Sequence, residues 1–271
     1  MSRATFLLPL ITLSAIAPVN AQTSVDLTPE PQQESPWSFG IAIGYGERTN
    51  PLIYADDIRL AVDVDIAWFG DRWFFDNGDG GFTFRDRDRY TLSAVGRINS
   101  DRVFFSKTNV DGISVGLSGL PGEIEVPDRD YAIEAGIELL TDGRWGYLQA
   151  TAFRDVSGTH DGYEIFATFG HVFRKQRWSI EPSIGASFKS RRLNDYYWGI
   201  SPDEVSVLFD RYSAASGTNT HARLGLAYRI NRQWSFVAVS EYERLSSTVA
   251  ESPLVAAGEV RGLYAGFGYR F

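Results

Sequence analysis

The 271-residue chain has no cysteine, and its only methionine is the initiator. Without cysteine there is no disulfide framework, no thiolate metal site and no cysteine nucleophile. Histidine is nearly as scarce, at three residues, so histidine-dependent chemistry has few places to sit. Beyond the first 21 residues no apolar run is long enough for a membrane-crossing helix, which needs about 20 residues. A basic excess is missing too. There are 26 Lys and Arg against 34 Asp and Glu, a net charge of −8 that argues against a nucleic-acid partner. The 44% hydrophobic content excludes disorder, and Gly and Pro keep no period that would suggest collagen. The surplus is aromatic, with 7 Trp, 13 Tyr and 18 Phe beside 26 Gly.

Residues 1–21 open with Met-Ser-Arg, continue as an apolar run from Phe6 to Ala17 and end in Val19-Asn20-Ala21. This order reads as a secretory signal peptide cleaved after Ala21. The run is too short for a bilayer-spanning anchor and contains Pro9. Residues 22–36 are polar and proline-bearing, a flexible tail expected in the periplasm.

From residue 37 onward the dominant period is two. Residues 58–68 place Ile58, Leu60, Val62, Val64, Ile66 and Trp68 on one face and Arg59, Ala61, Asp63, Asp65 and Ala67 on the other. The same alternation runs through 37–46, 131–139, 178–189 and 221–230. It marks strands with one apolar and one polar face. Soluble sandwich strands average about 5–6 residues, whereas a strand tilted across a bilayer needs about 9–11. Twelve long strands are expected, with 10–14 as the range: 37–46, 58–68, 72–84, 90–99, 102–116, 130–140, 145–154, 162–173, 177–189, 219–230, 233–244 and 259–271. The third and fifth are interrupted, by Gly78, Gly80 and Gly81 (read as a bulge or close backbone approach) and by Asn109–Gly112.

Short polar turns (Gly70-Asp71, Ser100-Asp101, Thr141–Arg144, Arg174–Gln176, Asn231-Arg232) alternate with mostly longer loops (47–57, 85–89, 117–129, 155–161, 190–218, 245–258). That asymmetry is the pattern of a transmembrane up-and-down β-barrel of the outer membrane, with both termini periplasmic. Trp37, Trp68, Trp73, Trp145, Trp178 and Trp234 all fall at the short-turn ends of strands, as a periplasmic aromatic rim would. Open sheet edges cannot face lipid, so the sheet must close, and its interior can stay polar.

Several segments resemble the MipA/OmpV family, the MltA-interacting proteins and relatives of the Gram-negative outer membrane. They are Trp37–Tyr45 (WSFGIAIGY), Asp56–Asp79, Asp155–Tyr163 (DVSGTHDGY), Asp195–Ser201 (DYYWGIS), Ser252–Val255 (SPLV) and Gly266–Phe271 (GFGYRF). The resemblance implies an outer-membrane barrel that acts as a scaffold between a lytic transglycosylase and a penicillin-binding protein, or as a porin-like protein. It brings no catalytic motif and no cofactor. Leu263, Phe267, Tyr269 and Phe271 look like the C-terminal signal read by the barrel-assembly machinery, and equally like the last lipid-facing strand. Outer-membrane lipid and lipopolysaccharide complete the implied surroundings.

The polar face should line the lumen with Arg59, Asp63, Asp65, Glu134, Glu138, Glu181, Lys189, Arg223 and Arg229. A twelve-stranded barrel lies between filled small barrels and open porins, so mutually neutralising pairs and an occluded lumen are favoured over a narrow cation-preferring pore. His160, with Asp155, Ser157 and Asp161 nearby, is the one place for a hydrolase at the outer rim, but a hydrogen-bonded loop is the favoured reading. His171 and His221 read as structural. Arg85–Arg89 alternate in sign and should tighten a turn. Asp56, Asp57, Asp203 and Glu204 could hold a divalent ion between lipopolysaccharide phosphates, with solvated loop acids the plainer reading. The aromatic 190–218 loop should fold over or into the mouth.

Overall fold

The computed structural model describes residues 36–105, 127–206 and 209–271. The expected signal peptide, nearly all of the tail and most of the strand expected over 102–116 lie outside the described residues. The strands are β1 (Trp37–Arg48), β2 (Ile58–Phe69), β3 (Trp73–Asp76), β4 (Asp79–Arg87), β5 (Tyr90–Ile98), β6 (Ile133–Gly143), β7 (Gly146–Asp155), β8 (Tyr163–Gly170), β9 (Phe173–Lys175), β10 (Trp178–Lys189), β11 (Gly217–Arg229), β12 (Trp234–Arg244) and β13 (Glu259–Arg270). Two helices, α1 (Arg191–Trp198) and α2 (Ser247–Ala250), lie in the long connections.

Segments β8 and β9 both pair with β10, through 164–170 and 173–175, so they are one barrel strand broken at His171 and Val172. Thirteen segments therefore make twelve barrel strands. Neighbours in sequence pair antiparallel around the ring, and β13 with β1 completes it. The alternation dictates this outcome: exposed Val62, Val64 and Ile66 point outward while Asp63, Asp65 and Ala67 point inward. Such a sheet can cover its apolar face only with lipid, and only a closed sheet leaves no edge there.

The count of twelve holds, but through two offsetting differences. The strand expected over 72–84 is a hairpin, β3 and β4, turned by Asn77 (φ 49°) and Gly78 (φ 103°). Asn-Gly is the preferred pair for a two-residue turn needing positive φ at both positions. Gly78 therefore makes a turn and not the expected bulge. Gly81 does lie where a Cβ would strike the Phe74 ring at 2.2 Å. Residues 102–105, expected to begin a strand, lie instead in a 3-10 turn over Asp101–Phe105.

This shift also changes the sides of two connections. The 85–89 segment belongs to β4 and a tight turn at the short-turn end, not to an outer loop. Ser100 and Asp101 lie at the long-loop end, not in a short turn. The ends of the barrel chain meet at the short-turn end, where Phe69 N–H donates to Pro36 O (2.8 Å) and Phe271 N–H to Phe39 O (3.1 Å).

The β1–β13 seam is close-packed at its glycines. Gly44 faces Gly266, and a Cβ on Gly44 would fall 2.1 Å from the Ala265 carbonyl oxygen. Gly44→Val is expected to destabilise the barrel by about 1–3 kcal/mol through overpacking at this ladder. Loss of heat-modifiable gel mobility at lower urea than in the parent checks it; an unchanged midpoint would remove the constraint.

Candidate functional site

The inward faces and the long loops build one polar and aromatic interior. Asp63, Asp65, Glu134, Glu138, Glu181, Lys189 and Arg223 point inward and are buried, and Arg229 is inward and half-buried. Arg59 departs from expectation. The register shift between Ile43 and Gly46 changes the parity of β2, so that Ile58 and Leu60 turn inward and Arg59 stands outward opposite Glu47.

Most inward charges are paired. The centre is Arg97, which the lumen assignment missed. Its Nε donates to Glu134 Oε2 at 2.7 Å, and its Nη2 also pairs with Glu164. Asn99 Nδ2 donates to Glu134 Oε1 at 2.9 Å. The guanidinium lies 3.9 Å from the Phe153 ring centre. Nearby, Lys189 Nζ donates to both carboxylate oxygens of Asp101, at 2.6 and 2.8 Å. Arg223 Nε donates to Glu241 (3.1 Å), Asn219 to Glu243 (2.8 Å), Tyr147 to Glu181 (2.8 Å) and Gln149 to Glu138 (2.7 Å). Arg97 and Glu164 were legible, since each shares the parity of an inward-facing row.

Above this layer the long connections form a second, apolar core. Leu52 and Ile58, Phe104 and Phe105, Leu193, Tyr197, Trp198, Ile200 and Phe209, and Leu245, Val249 and Leu254 pack together from four separate loop regions. Phe104 and Phe105 meet Trp198 at 5.9 and 5.4 Å. Ser252 Oγ donates to the Trp198 carbonyl at 2.6 Å, and Tyr212 OH to the Thr248 carbonyl at 2.7 Å. Arg129 Nη2 donates to the Gly199 carbonyl (2.9 Å) and Nη1 pairs with Glu204. The described residues of the 190–218 loop are thus folded against the other loops, as its aromatic content indicates. Burial pushes the Tyr197 hydroxyl up, helped by the negative charges of Asp101 and Glu134.

His160 joins cap to wall. Gly162 N–H donates to its Nδ1 at 2.9 Å, which leaves Nε2 as the protonated nitrogen, 3.2 Å from Glu134 Oε1. Ser157 Oγ donates to Asp155 Oδ1 at 2.6 Å, and Asp155 also receives the backbone N–H groups of Ser157, His160 and Asp161. A nucleophile needs its hydroxyl on the imidazole. Here the serine is tied to the carboxylate and the imidazole is sealed, so the group is a loop-bracing network without triad geometry. His221 is buried against Thr168 Oγ1 (3.0 Å), and His171 meets the Phe173 ring at the break between β8 and β9. Glu204 is engaged by Arg129 and Asp57 accepts from Asn50 N–H (3.1 Å), and among the described residues no three acids group as an ion site.

The six rim tryptophans all lie at the short-turn end, and Trp37 pairs directly with Trp68. Leu263, Phe267, Tyr269 and Phe271 share the outward face of the last strand.

A closed antiparallel ring with apolar residues outside and paired charges inside defines the class: an outer-membrane β-barrel. Residues 39–271 match the family described as MltA-interacting protein MipA, and the chain belongs to that family. It is 25% identical over 236 residues to the MltA-interacting protein of Escherichia coli K12, covering 86% of this chain and 90% of the relative. It is 28% identical over 126 residues to outer membrane protein OmpV of Vibrio cholerae, covering 46% of this chain and 48% of that one. Among solved structures, the NanC porin matches at TM-score 0.46 and 10% identity, covering 86% of this chain and 100% of the other.

Arg97→Met leaves Glu134 and Glu164 buried without their cation, and is expected to cost about 3–5 kcal/mol. A urea titration of heat-modifiable mobility checks it. Arg97→Lys should recover only part, because a single ammonium lacks the fork that serves two carboxylates.

Glu204 gives a pH prediction. Burial pushes its carboxyl up, but the hydrogen bonds from Arg129 and Ser201 N–H outweigh this and hold it below its ordinary value. A depressed folded pKa means the contribution is present above the ordinary carboxylate pKa and is lost as pH falls through the folded value. Hydrogen exchange at residues 199–204 should therefore accelerate as pH drops below about 4, after correction for intrinsic rates. Glu204→Gln should abolish that dependence.

Proposed function

We propose that this barrel is a non-catalytic scaffold of the outer membrane, linked to peptidoglycan-remodelling enzymes, with an occluded lumen. The observation that carries the reading is how dry the inward charges are. Glu134 is 0% exposed, Glu181 1%, Asp65 3% and Asp63 4%. A water-filled pore would wet exactly such groups, because a buried charge is tolerated only when paired. The aromatic cap over the long-loop end supports the same reading. A relative named MltA-interacting protein supports a lytic transglycosylase as the partner class, and the resemblance adds a penicillin-binding protein. The short-turn end is then the periplasmic one, where the 22–36 tail begins. The outward Leu263, Phe267, Tyr269 and Phe271 would serve recognition by the barrel-assembly machinery.

Folded, heat-modifiable protein in a planar bilayer is expected to be electrically silent. Stepwise conductance, with selectivity altered by Asp63→Asn and Asp65→Asn, would instead establish a narrow porin-like channel. Deleting residues 24–35 should weaken capture of a lytic transglycosylase, and unchanged capture would remove the tail from this role. His160→Ala should leave hydrolytic activity unaffected.

A further inference from the structure

Four of the short turns end in the same way. Arg72 precedes Trp73, Arg144 precedes Trp145, Arg177 precedes Trp178, and Arg232 stands two residues before Trp234. All four arginines and all four tryptophans are exposed. The indoles are fixed by their neighbours: Trp145 stacks on Phe169 at 5.8 Å, Trp178 meets Tyr228 at 4.7 Å, Trp73 meets Phe82 at 4.7 Å and Trp234 meets Tyr269 at 5.0 Å. At Trp145 the ring also lies over the turn, where a Cβ on Gly143 would meet its Nε1 at 2.8 Å. Arg177 reaches the neighbouring turn through Nη1 to the Ile230 carbonyl (3.2 Å) and keeps further donors.

We propose that this repeated arginine–tryptophan pair is a ring of phosphate sites, binding the phosphodiester headgroups of anionic phospholipids in the leaflet at the short-turn end. An indole settles at the glycerol and headgroup level, so an arginine one step further out lies at phosphate depth. A guanidinium matches a phosphate's paired oxygens in geometry as well as charge. Arg85 and Arg87 extend the ring. They share the outward register of Leu92 and Tyr90, so they leave the barrel wall sideways, toward lipid. Asp71, Asp86, Asp88 and Asp142 offset the charge only in part, so this end is basic on a chain whose net charge is −8. Turns of a few residues offer a soluble partner little area, while a headgroup needs only one or two donors.

The tryptophans themselves supply the readout, since six of seven lie at the rim and Trp198 is sealed in the cap. Folded protein in phosphatidylcholine bilayers is titrated with brominated phosphatidylglycerol or brominated phosphatidylcholine, and quenching gives the relative affinity. Brominated phosphatidylglycerol should quench at lower mole fraction, by about fivefold for each arginine engaged. The preference should shrink with salt in the unaltered protein, a measurement that needs no variant. Replacing Arg72, Arg144, Arg177 and Arg232 with Gln should bring the two lipids close to equal, and Lys replacements should keep most of the preference. Equal quenching of the parent by both lipids overturns the proposal, as does an undiminished preference in a heat-modifiable Gln variant. Binding of soluble polyglutamate to the parent but not the Gln variant, with no lipid preference, would make the ring a protein-docking surface and also overturn it.

Discussion

In hydrocarbon an unpaired backbone N–H or C=O finds no water, and each costs several kcal/mol. The rest of this molecule follows from that constraint. It requires the strands to close on themselves, here through β13 and β1, and closure fixes a strand number. An eight-stranded barrel is about as wide as its own side chains can fill. Twelve strands enclose more space, and whatever fills it must be polar enough to alternate with a lipid face, yet sufficiently paired to stay dry. Arg97 with Glu134 and Glu164, and Lys189 with Asp101, meet both demands. Phe153 and Phe166 fill the space beside the arginine with apolar bulk.

Inward polar side chains line the waist of the barrel, and described residues of four loop regions pack together at its long-loop end. No long connection could bury enough apolar surface alone, but together they make a small core containing Trp198, Tyr197, Phe104 and Leu254. That core is tied to the wall by charge. Asp101 stands on the 3-10 turn and its Lys189 on β10, while His160 stands on a loop and its Glu134 on β6. Cap and wall are therefore coupled, because releasing the cap would strand buried charges below it. Three segments that carry the family resemblance, 155–163, 195–201 and 252–255, converge on this junction.

Much of this was legible because period-two alternation is a strong signal and long strands average over local exceptions. The barrel follows from alternation together with strand length and turn asymmetry, the tryptophan positions from where the short turns fall, and the inward placement of eight of the nine named charges from parity. Arg59 did not, since the irregularity opposite Gly44 and Tyr45 reverses parity within β2, and nothing in Arg-Leu-Ala-Val marks that step. The 72–84 hairpin was concealed by a turn placed between two aromatic runs, although Asn77-Gly78 is a turn pair on its own. Arg97, Glu164 and Asp101 show the other limit. Parity indicates that Arg97 and Glu164 point inward, but pairing across 67 residues of sequence is set by barrel geometry. Asp101 could not be placed at all while its segment was read as a periplasmic turn.

The two ends of the barrel consequently face different tasks. At the long-loop end Phe104, Phe105, Tyr197, Trp198 and Phe209 pack into a cap, while Tyr54 and Tyr131 stay exposed. The short-turn end has almost no chain to spend. A stable protein interface takes roughly 800 Å² from each partner, more than a ring of tight turns presents as a continuous surface. Any partner engaged there must draw area from elsewhere. A ring of arginines beside fixed indoles is suited to ligands that need little area and much charge.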